Sequence, residues 1–242
     1  MASTSAVTLD GSLEEPIQAS TSATAKINGQ KVSVELDSIE DALQAIAAGE
    51  ILVVVDDMDR ENEGDLIMAA AHCTTEKMAW IVRWSSGYIC VAVPPARLDE
   101  LEIPLMIENN TEKHRTAYTH TVDFLEGVTT GISAHDRALT SRKLADPTVK
   151  PEQFNRPGHI VPLRARPNGV LERRGHTEAA VDLVRLAGVE GPSVGVICEL
   201  LKPEDPTGSM ARRDDCFAFA KQWNLKMISI EQLAEYRQRT GR

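Results

Sequence analysis

A run of five apolar, mainly β-branched residues at positions 51–55 constrains the fold more than any other segment of the chain. The run is too short for a helix, and it offers no polar side chain to water. A strand of this composition is buried on both faces, so its sheet needs a covering layer on each side. The segment therefore predicts a sheet at the centre of a layered domain.

Further helix and strand patterns alternate along the chain after residue 37. Serines at positions 38, 133 and 229 each precede a helical pattern, and each is followed three residues later by a polar side chain typical of a helix N-terminus. Helices are expected at 38–47, 75–85, 177–187 and 214–223 and from 133 and 229; strands are expected at 51–55, 88–93, 118–124, 159–163, 194–200 and 226–230. Because some connections are helical and others are not, we expect an α+β fold: one three-layer α/β/α domain, residues 38–242, around a mixed twisted sheet.

The composition is that of a globular chain with an acidic surface. The apolar fraction is 42%, enough for a large core. The chain has 26 Lys and Arg residues and 36 Asp and Glu residues, which gives a net charge of −10 at pH 7. This excess of negative charge argues against binding to nucleic acids or to anionic membrane surfaces. No stretch approaches the ~20 apolar residues of a spanning helix. We expect no nucleic-acid partner and no membrane association.

Residues 1–37 are rich in Ser, Thr and Ala without a sustained period, which predicts a disordered N-terminal extension. The extension has the pattern of neither a secretory signal nor a mitochondrial presequence. The four cysteines stand far apart with no Cys-x-x-Cys pair, so neither a disulfide framework nor a zinc site is expected. These features favour reduced thiols and a cytoplasmic location.

An acidic segment follows the buried strand directly. Residues 56–65 contain one basic residue, Arg60, and six acids: Asp56, Asp57, Asp59, Glu61, Glu63 and Asp65. Carboxylates suit Mg²⁺, which takes one or two of them together with water and substrate oxygens, and Arg60 could hold a phosphate nearby. The same composition also fits a solvated charged loop, and the segment alone does not decide between the two.

A second polar segment precedes a predicted helix. Gly175 and the helix start offer free backbone N–H groups to an anion, Arg173 can add a bidentate contact, and His176 could bind a metal through a neutral imidazole. A capped helix with a surface histidine is the alternative. Four single residues are weaker candidates, each with a structural alternative: His159, Glu199, Cys90 and Thr130.

Five motifs occur in one order along residues 38–238. They are Asp56-Asp57-x-Asp59-Arg60-Glu61-Asn62-Glu63-Gly64-Asp65, Thr129-Thr130-Gly131-Ile132-Ser133-Ala134-x-Asp136-Arg137, Arg156-Pro157-Gly158-His159, Arg174-Gly175-His176-Thr177-Glu178-Ala179 and Gly195-Val196-Ile197-Cys198-Glu199. Together they closely resemble the 3,4-dihydroxy-2-butanone-4-phosphate synthase family of riboflavin biosynthesis, in its stand-alone, fungal-type form. The N-terminal extension lies outside the resemblance.

The resemblance implies a homodimeric lyase whose active site is shared across the subunit interface. Its substrate would be D-ribulose 5-phosphate and its products L-3,4-dihydroxybutan-2-one 4-phosphate and formate. The family reaction runs through an enediol, loss of water from C1 and a rearrangement that expels C4 as formate. Two Mg²⁺ ions per site are implied, with Mn²⁺ as a substitute.

The resemblance also implies residue roles. Glu61 and His176 would bind the metal, and Asp65 the substrate hydroxyls. The phosphate and neighbouring substrate atoms would contact Arg60, Glu61, Thr130, Arg173, Arg174, Gly175, His176 and Thr177. His159, contributed by the partner subunit, and Glu199 would carry the proton transfers, and further catalytic candidates are Asp56, Glu63, Cys90 and Glu178. Arg174 stands where some members have glycine, and we expect little consequence.

Two other functions fit parts of the sequence. A metal-dependent phosphohydrolase is suggested by Arg60-Glu61-x-Glu63, which faintly resembles the acidic box of Nudix hydrolases, although that box lies on a helix. A noncatalytic module that binds a phosphorylated ligand would use the same anion-binding groups without turnover. The order and number of the motifs favour the lyase.

Overall fold

The computed structural model describes residues 23–27, 30–203 and 205–242. Its strands are β1 (Ala23–Ile27), β2 (Gln30–Val34), β3 (Leu52–Val55), β4 (Gly64–Ala69), β5 (Cys90–Val93), β6 (Val122–Phe124), β7 (Phe154–Arg164), β8 (Gly195–Glu199) and β9 (Lys226–Ser229). Its α-helices are α1 (Ile39–Ala47), α2 (Thr75–Trp84), α3 (Pro95–Glu100), α4 (Ala134–Leu144), α5 (His176–Leu186), α6 (Arg213–Trp223) and α7 (Ile230–Thr240).

Seven strands form one mixed sheet in the order β6-β7-β5-β8-β4-β3-β9. The pairs β3–β9 and β5–β7 are parallel, and the remaining neighbours are antiparallel. Helices α1, α5 and α7 cover one face of the sheet, and α2, α4 and α6 cover the other. The predicted α+β fold with three layers is confirmed.

Strand β3 lies near the middle of the core, as its composition predicts. Val53 and Val55 join the cluster under α2, α4 and α6, whereas Leu52 and Val54 join the cluster under α1, α5 and α7. All four side chains are buried. Each face of β3 packs against a layer of helices, so the strand has apolar side chains at both odd and even positions.

The predicted helix starts at the three serines are also confirmed. The hydroxyls of Ser38, Ser133 and Ser229 accept hydrogen bonds from the backbone N–H three residues later, at 3.1, 3.0 and 3.1 Å. Each bond satisfies a backbone donor that has no partner within the helix.

Several element boundaries were predicted wrongly. The acidic segment was expected to remain a loop to Asp65, but β4 begins at Gly64 and is buried over its whole length. The strand expected at 118–124 is regular only over Val122–Phe124, and β7 begins at Phe154 rather than at 159. No strand was expected at 64–69, so β4 was missed altogether, as was helix α3. Charged and proline-containing sequence hid these elements, because tertiary packing rather than local propensity stabilises them.

In the N-terminal extension, an antiparallel pair, β1 and β2, stands where the sequence predicted no regular structure. Residues 1–22, 28 and 29 lie outside the described residues. The chain meets the large sheet at Asp37, whose carboxylate accepts hydrogen bonds from the backbone N–H of Met227 and from Lys226 Nζ at 2.8 and 2.9 Å. Over the part of the chain that the structure describes, no helix has the length and apolar character needed to cross a bilayer.

Gly64 is required by the packing of α6 against the first residue of β4. A β-carbon at this position would lie 2.4 Å from Cys216 Sγ and 3.3 Å from Val55 Cγ1. Cys216 is buried, so its side chain has no solvent-filled space to move into.

We expect Gly64→Ala to lower the free energy of unfolding by about 1–3 kcal/mol, because the added methyl group overfills the core at Cys216. The same substitution made in a Cys216→Ala background should cost far less, since that background removes the opposing sulfur. Thermal and denaturant unfolding of the two single variants and the double variant measures this coupling. Equal costs in both backgrounds would contradict the packing explanation.

Candidate active site

The loop between β3 and β4 is organised by the carboxylate of Asp56. One oxygen accepts the backbone N–H of Glu61 at 3.0 Å and a guanidinium hydrogen of Arg60 at 2.8 Å. The other oxygen accepts the backbone N–H of Glu63 at 2.9 Å. Asp56, predicted as a catalytic candidate, has both oxygens engaged within the loop. It fixes the positions of Arg60, Glu61 and Glu63.

Arg60 and Glu61 contact each other through guanidinium and carboxylate. Burial opposes the charged form of Arg60, yet hydrogen bonds and charge interactions with Asp56 and Glu61 raise the pKa of its guanidinium. Arg60 is therefore a permanent cation beside the acids of the loop, as a phosphate-binding role requires.

His176, the first residue of α5, is held against the end of β3. Its Nε2 lies 3.2 Å from the backbone oxygen of Val54, which can only accept a hydrogen bond, so Nε2 carries the proton. Burial lowers the pKa of His176 to about 4. The ring is therefore neutral at physiological pH, and the lone pair of Nδ1 points away from the carbonyl contact.

That lone pair faces two carboxylates. Nδ1 of His176 lies 3.9 Å from Oε2 of Glu61 and 3.7 Å from Oδ1 of Asp65. Oδ1 of Asp65 is buried and has no hydrogen-bond partner among the described residues. No hydrogen bond joins these three atoms, and a bound cation would stabilise their arrangement.

Strand register brings further acids to the same place. Asp65 on β4 pairs directly with Glu199 on β8. Burial is the main reason that the pKa of Asp65 is raised well above its ordinary value, and the charges of Glu199 and Glu61 add to the effect. Burial and Glu61 also raise the pKa of Glu63. Glu199 accepts a hydrogen bond from the hydroxyl of Ser86 at 3.0 Å.

Cys90 lies on the same face of the sheet, on strand β5 beside β8. Its thiol is buried, and burial raises its pKa far above the ordinary value, with a further contribution from Glu199. A thiol in these surroundings stays protonated and has the character of a core residue. The structure thus places this predicted catalytic candidate next to the acids, with a buried thiol whose pKa is raised.

Arg173 reaches the site from the loop before α5. Its Nη1 lies 2.6 Å from Oε2 of Glu178, its Nε donates to the backbone oxygen of His114 at 3.1 Å, and its Nη2 donates to the hydroxyl of Thr116 at 3.0 Å. His114 Nε2 in turn lies 3.9 Å from Oε1 of Glu61. Sequence reasoning missed His114 and Thr116, because they lie in an irregular segment where no periodicity or motif marks them.

The remaining residues of the segment before α5 differ in position. Gly175 is the N-cap of α5, and Thr177 is buried in the first turn, where its backbone N–H has no partner within the helix. Arg174 lies at the surface, with its guanidinium 3.5 Å from Glu231 and 4.0 Å from Asp57. The structure therefore brings Gly175 and Thr177 close to His176 and leaves Arg174 outside the group.

His159 and Thr130 form a separate group. His159 Nδ1 lies 2.7 Å from the carboxylate of Asp123. Gly131, next to Thr130, approaches both side chains so closely that a β-carbon there would lie 2.0 Å from Asp123 and 2.4 Å from His159. Within the residues that the structure describes, no hydrogen bond or ion pair joins this group to the acids around His176.

The acidic group, which we define as Glu61, Glu63, Asp65, His176 and Glu199, has the donors of a hard-cation site. Over the described ranges, no set of three or more His, Cys, Asp or Glu side chains is arranged to enclose a metal by itself. Mg²⁺ does not need such a cage, because it keeps several waters and takes only one or two protein carboxylates. The carboxylate and imidazole donors and the orphaned oxygen of Asp65 therefore fit such an ion.

Comparisons with known proteins agree with this geometry. The family model described as 3,4-dihydroxy-2-butanone 4-phosphate synthase matches residues 40–236. The chain is 60% identical over 202 residues to the Schizosaccharomyces pombe protein of that name, covering 83% of this chain and 97% of the relative. It is 59% identical over 198 residues to the Candida albicans protein of the same name, covering 82% and 95%.

A solved structure described as 3,4-dihydroxy-2-butanone 4-phosphate synthase in complex with two magnesium ions superposes with a TM-score of 0.81 at 47% identity. The match covers 85% of this chain and 99% of that one. Matched over most of its length in sequence and in fold, the chain belongs to the 3,4-dihydroxy-2-butanone 4-phosphate synthase family.

Proposed function

We propose that the protein is a Mg²⁺-dependent lyase of riboflavin biosynthesis that converts D-ribulose 5-phosphate to L-3,4-dihydroxybutan-2-one 4-phosphate and formate. The observation that carries this proposal is that Nδ1 of His176 lies within 4 Å of both Glu61 Oε2 and Asp65 Oδ1. The two magnesium ions in the solved relative support it. Glu61 and His176 would hold the metal, for which Mn²⁺ could substitute. A bound divalent cation supplies charge stabilisation to adjacent substrate oxygens.

The acids around the metal ligands are suited to proton transfer. Burial and neighbouring charge raise the pKa values of Asp65 and Glu63, so these carboxyls can hold a proton nearer neutral pH than ordinary acids do. Glu199 lies beside Asp65 across the strand pair and takes a hydrogen bond from Ser86. Asp65 would therefore bind substrate hydroxyls, and Glu199 would carry a proton.

The phosphate of the substrate would lie at the start of α5. The first backbone N–H groups of α5 point there, and Arg60 and Arg173 add positive charge. Arg173 uses three guanidinium donors on Glu178, His114 and Thr116, and a guanidinium has five. Two donors therefore stay available for phosphate while the other three hold the group in place.

The separation of His159 and Thr130 from the acidic group supports a homodimer that shares its active sites. Three apolar side chains are exposed in this part of the chain. Ile132 follows Thr130 closely in sequence, and Met106 and Ile107 lie in the segment that leads to His114. Apolar side chains left exposed on one subunit are candidates for burial at a subunit interface. We further propose that the dimer acts in the cytoplasm, since the four cysteines are all free thiols.

The phosphohydrolase alternative loses its structural support. The acidic box of Nudix hydrolases lies on a helix, whereas Arg60, Glu61 and Glu63 lie in a loop that joins two strands. Release of inorganic phosphate without formate would nevertheless identify such an activity.

We expect purified protein to release formate from D-ribulose 5-phosphate with Mg²⁺ and not with EDTA. Glu61→Gln and His176→Ala should each lower the rate at least about 100-fold, because each removes a metal ligand, and each should weaken Mn²⁺ binding measured by electron paramagnetic resonance. Asp59→Asn is the matched control, since Asp59 is an exposed acid of the same loop. Near-normal activity of either ligand variant would exclude the metal assignment.

Asp65→Asn should stabilise the metal-free protein at neutral pH. The folded pKa of Asp65 is raised, so its carboxyl favours the folded state only below the unfolded pKa of about 4, and it increasingly opposes folding as pH rises through the folded value. We expect a gain of roughly 1–3 kcal/mol at pH 7 in EDTA that vanishes below about pH 4.

The measurement is thermal unfolding between pH 3.5 and 8, with EDTA and with Mg²⁺. Magnesium should stabilise the unsubstituted protein more than Asp65→Asn, because the carboxylate that destabilises the empty site favours the cation. Asp59→Asn should show no pH-dependent difference. A variant no more stable than the parent at any pH in EDTA would argue against a buried, uncompensated carboxyl.

Mixing two inactive variants tests the shared site. His159→Ala and Arg173→Ala homodimers should be nearly inactive, yet a mixture that exchanges subunits should regain up to about a quarter of its sites, because one mixed site contains neither substitution. A mixture of Glu61→Gln with Arg173→Ala is the control. In the proposed dimer the same subunit supplies Glu61 and Arg173 to a given site, so every site of a mixed dimer carries one of the two substitutions. Absence of recovery in the first mixture, despite demonstrated exchange, would contradict sharing.

A further inference from the structure

The carboxylate of Asp123 holds His159 at two points. Its Oδ1 accepts the backbone N–H of His159 at 2.9 Å, and its Oδ2 lies 2.7 Å from the ring Nδ1. An ionised carboxylate can only accept, so Nδ1 is the protonated nitrogen. Because both oxygens are engaged, neither the carboxylate nor the imidazole can turn without losing a hydrogen bond.

A break in the pairing of β6 with β7 brings His159 next to Asp123. Val122 pairs with Ile160, but the next residue, Asp123, pairs with Asn155, so residues 156–159 of β7 bulge out opposite a single step of β6. The bulge is close to its neighbour: a β-carbon on Gly158 would lie 2.0 Å from the backbone carbon of Val122. The bulge therefore places the ring of His159 over Asp123.

The rest of the imidazole is open. The side chain of His159 is 44% exposed, against 10% for that of Asp123. Nε2 forms no hydrogen bond or ion pair within the described part of the chain. The ring therefore has one nitrogen held by a buried carboxylate and belongs to a side chain that is otherwise partly open to solvent.

The loop that carries Thr130 is pressed against the same pair. Gly131 has a φ of +90° and packs directly on Asp123 and His159. Asp136 holds this loop by accepting hydrogen bonds from the backbone N–H groups of Thr129 and Gly131, at 3.2 and 3.0 Å. Asp123 thus contacts both His159 and the glycine that follows Thr130.

We propose that Asp123 is the positioning residue for His159. It holds the imidazole in the tautomer protonated at Nδ1 and keeps the lone pair of Nε2 outward for proton exchange with the substrate. A carboxylate in this position also stabilises the imidazolium that forms when Nε2 takes up a proton. The inference rests on the proposed function, in which His159 transfers a proton. An acceptor that merely completes the bulge is the alternative that the experiment must separate.

The test is Asp123→Asn in the full-length, Mg²⁺-loaded protein. The amide oxygen can still accept the backbone N–H of His159, but the amide nitrogen would face Nδ1 and force the proton onto Nε2. We expect kcat for formate release to fall about 10²- to 10⁴-fold while KM changes little. Nitrogen NMR of ¹⁵N-histidine-labelled protein, with His159 identified from a His159→Ala sample, should show the switch from the Nδ1–H to the Nε2–H tautomer.

Asp146→Asn is the matched control. Asp146 accepts a backbone N–H and the hydroxyl of Thr148, at 3.0 and 2.6 Å, and an ammonium hydrogen of Lys143 at 2.9 Å, but it touches no histidine. Its loss should leave kcat and the histidine spectra unchanged. In a His159→Ala background, Asp123→Asn should cause no further loss of rate, because a positioning residue acts only through the residue that it positions.

The outcomes separate this inference from the proposed function. An Nε2–H tautomer in the unsubstituted protein overturns the inference, even if Asp123→Asn fails to fold. A fall in the rate of Asp123→Asn without a tautomer switch also overturns the inference. A further fall in rate when Asp123→Asn is added to His159→Ala overturns it as well. A tautomer switch with unchanged kcat overturns the catalytic consequence of Asp123 and the role of His159 in the reaction. Absence of formate release by the unsubstituted protein would overturn the proposed function while the tautomer result stood on its own.

Discussion

The structure depends on keeping a buried carboxylate, Asp65, and a buried neutral histidine, His176, beside several partly exposed acids. Burial raises the pKa values of Asp65 and Glu63, with further contributions from neighbouring acids, and burial lowers the pKa of His176. Such a group destabilises a fold unless the surrounding core is rigid enough to hold it. The sheet covered on both faces supplies this rigidity, and the same uncompensated charge makes the site suited to a divalent cation. The same charges that lower the stability of the metal-free protein favour the binding of a divalent cation.

The sheet also brings together residues that are far apart along the chain. Asp65 and Glu199 are far apart in sequence but face each other across β4 and β8, and the strand alternation places both on the side of α5. The start of α5 then adds His176 and free backbone N–H groups to the same edge. Asp65, Glu199 and His176 thus come together from one sheet face and one helix end, and the loop between β3 and β4 adds Glu61 and Glu63.

Hydrogen bonds to carboxylates recur as the means of fixing reactive side chains. Asp56 shapes the loop that carries Glu61, Glu178 holds Arg173, and Asp123 holds His159. Each of these acids lies mainly or wholly out of solvent, and each contacts the group that would meet the substrate. Preorganisation of this kind lowers the reorganisation required during the reaction.

The sequence by itself determined the features that depend on local pattern. The doubly apolar run of β3, the serine caps at Ser38, Ser133 and Ser229, and the motifs around Glu61 and His176 can all be read without a structure, because propensity and residue type are properties of neighbouring positions. The tertiary structure alone decided that β4 begins inside the acidic segment, that His114 and Thr116 contact Arg173, and that Asp123 lies under His159. Those features are contacts between residues far apart in the chain. Their free energy comes from burial and geometry that exist only once the layers have packed.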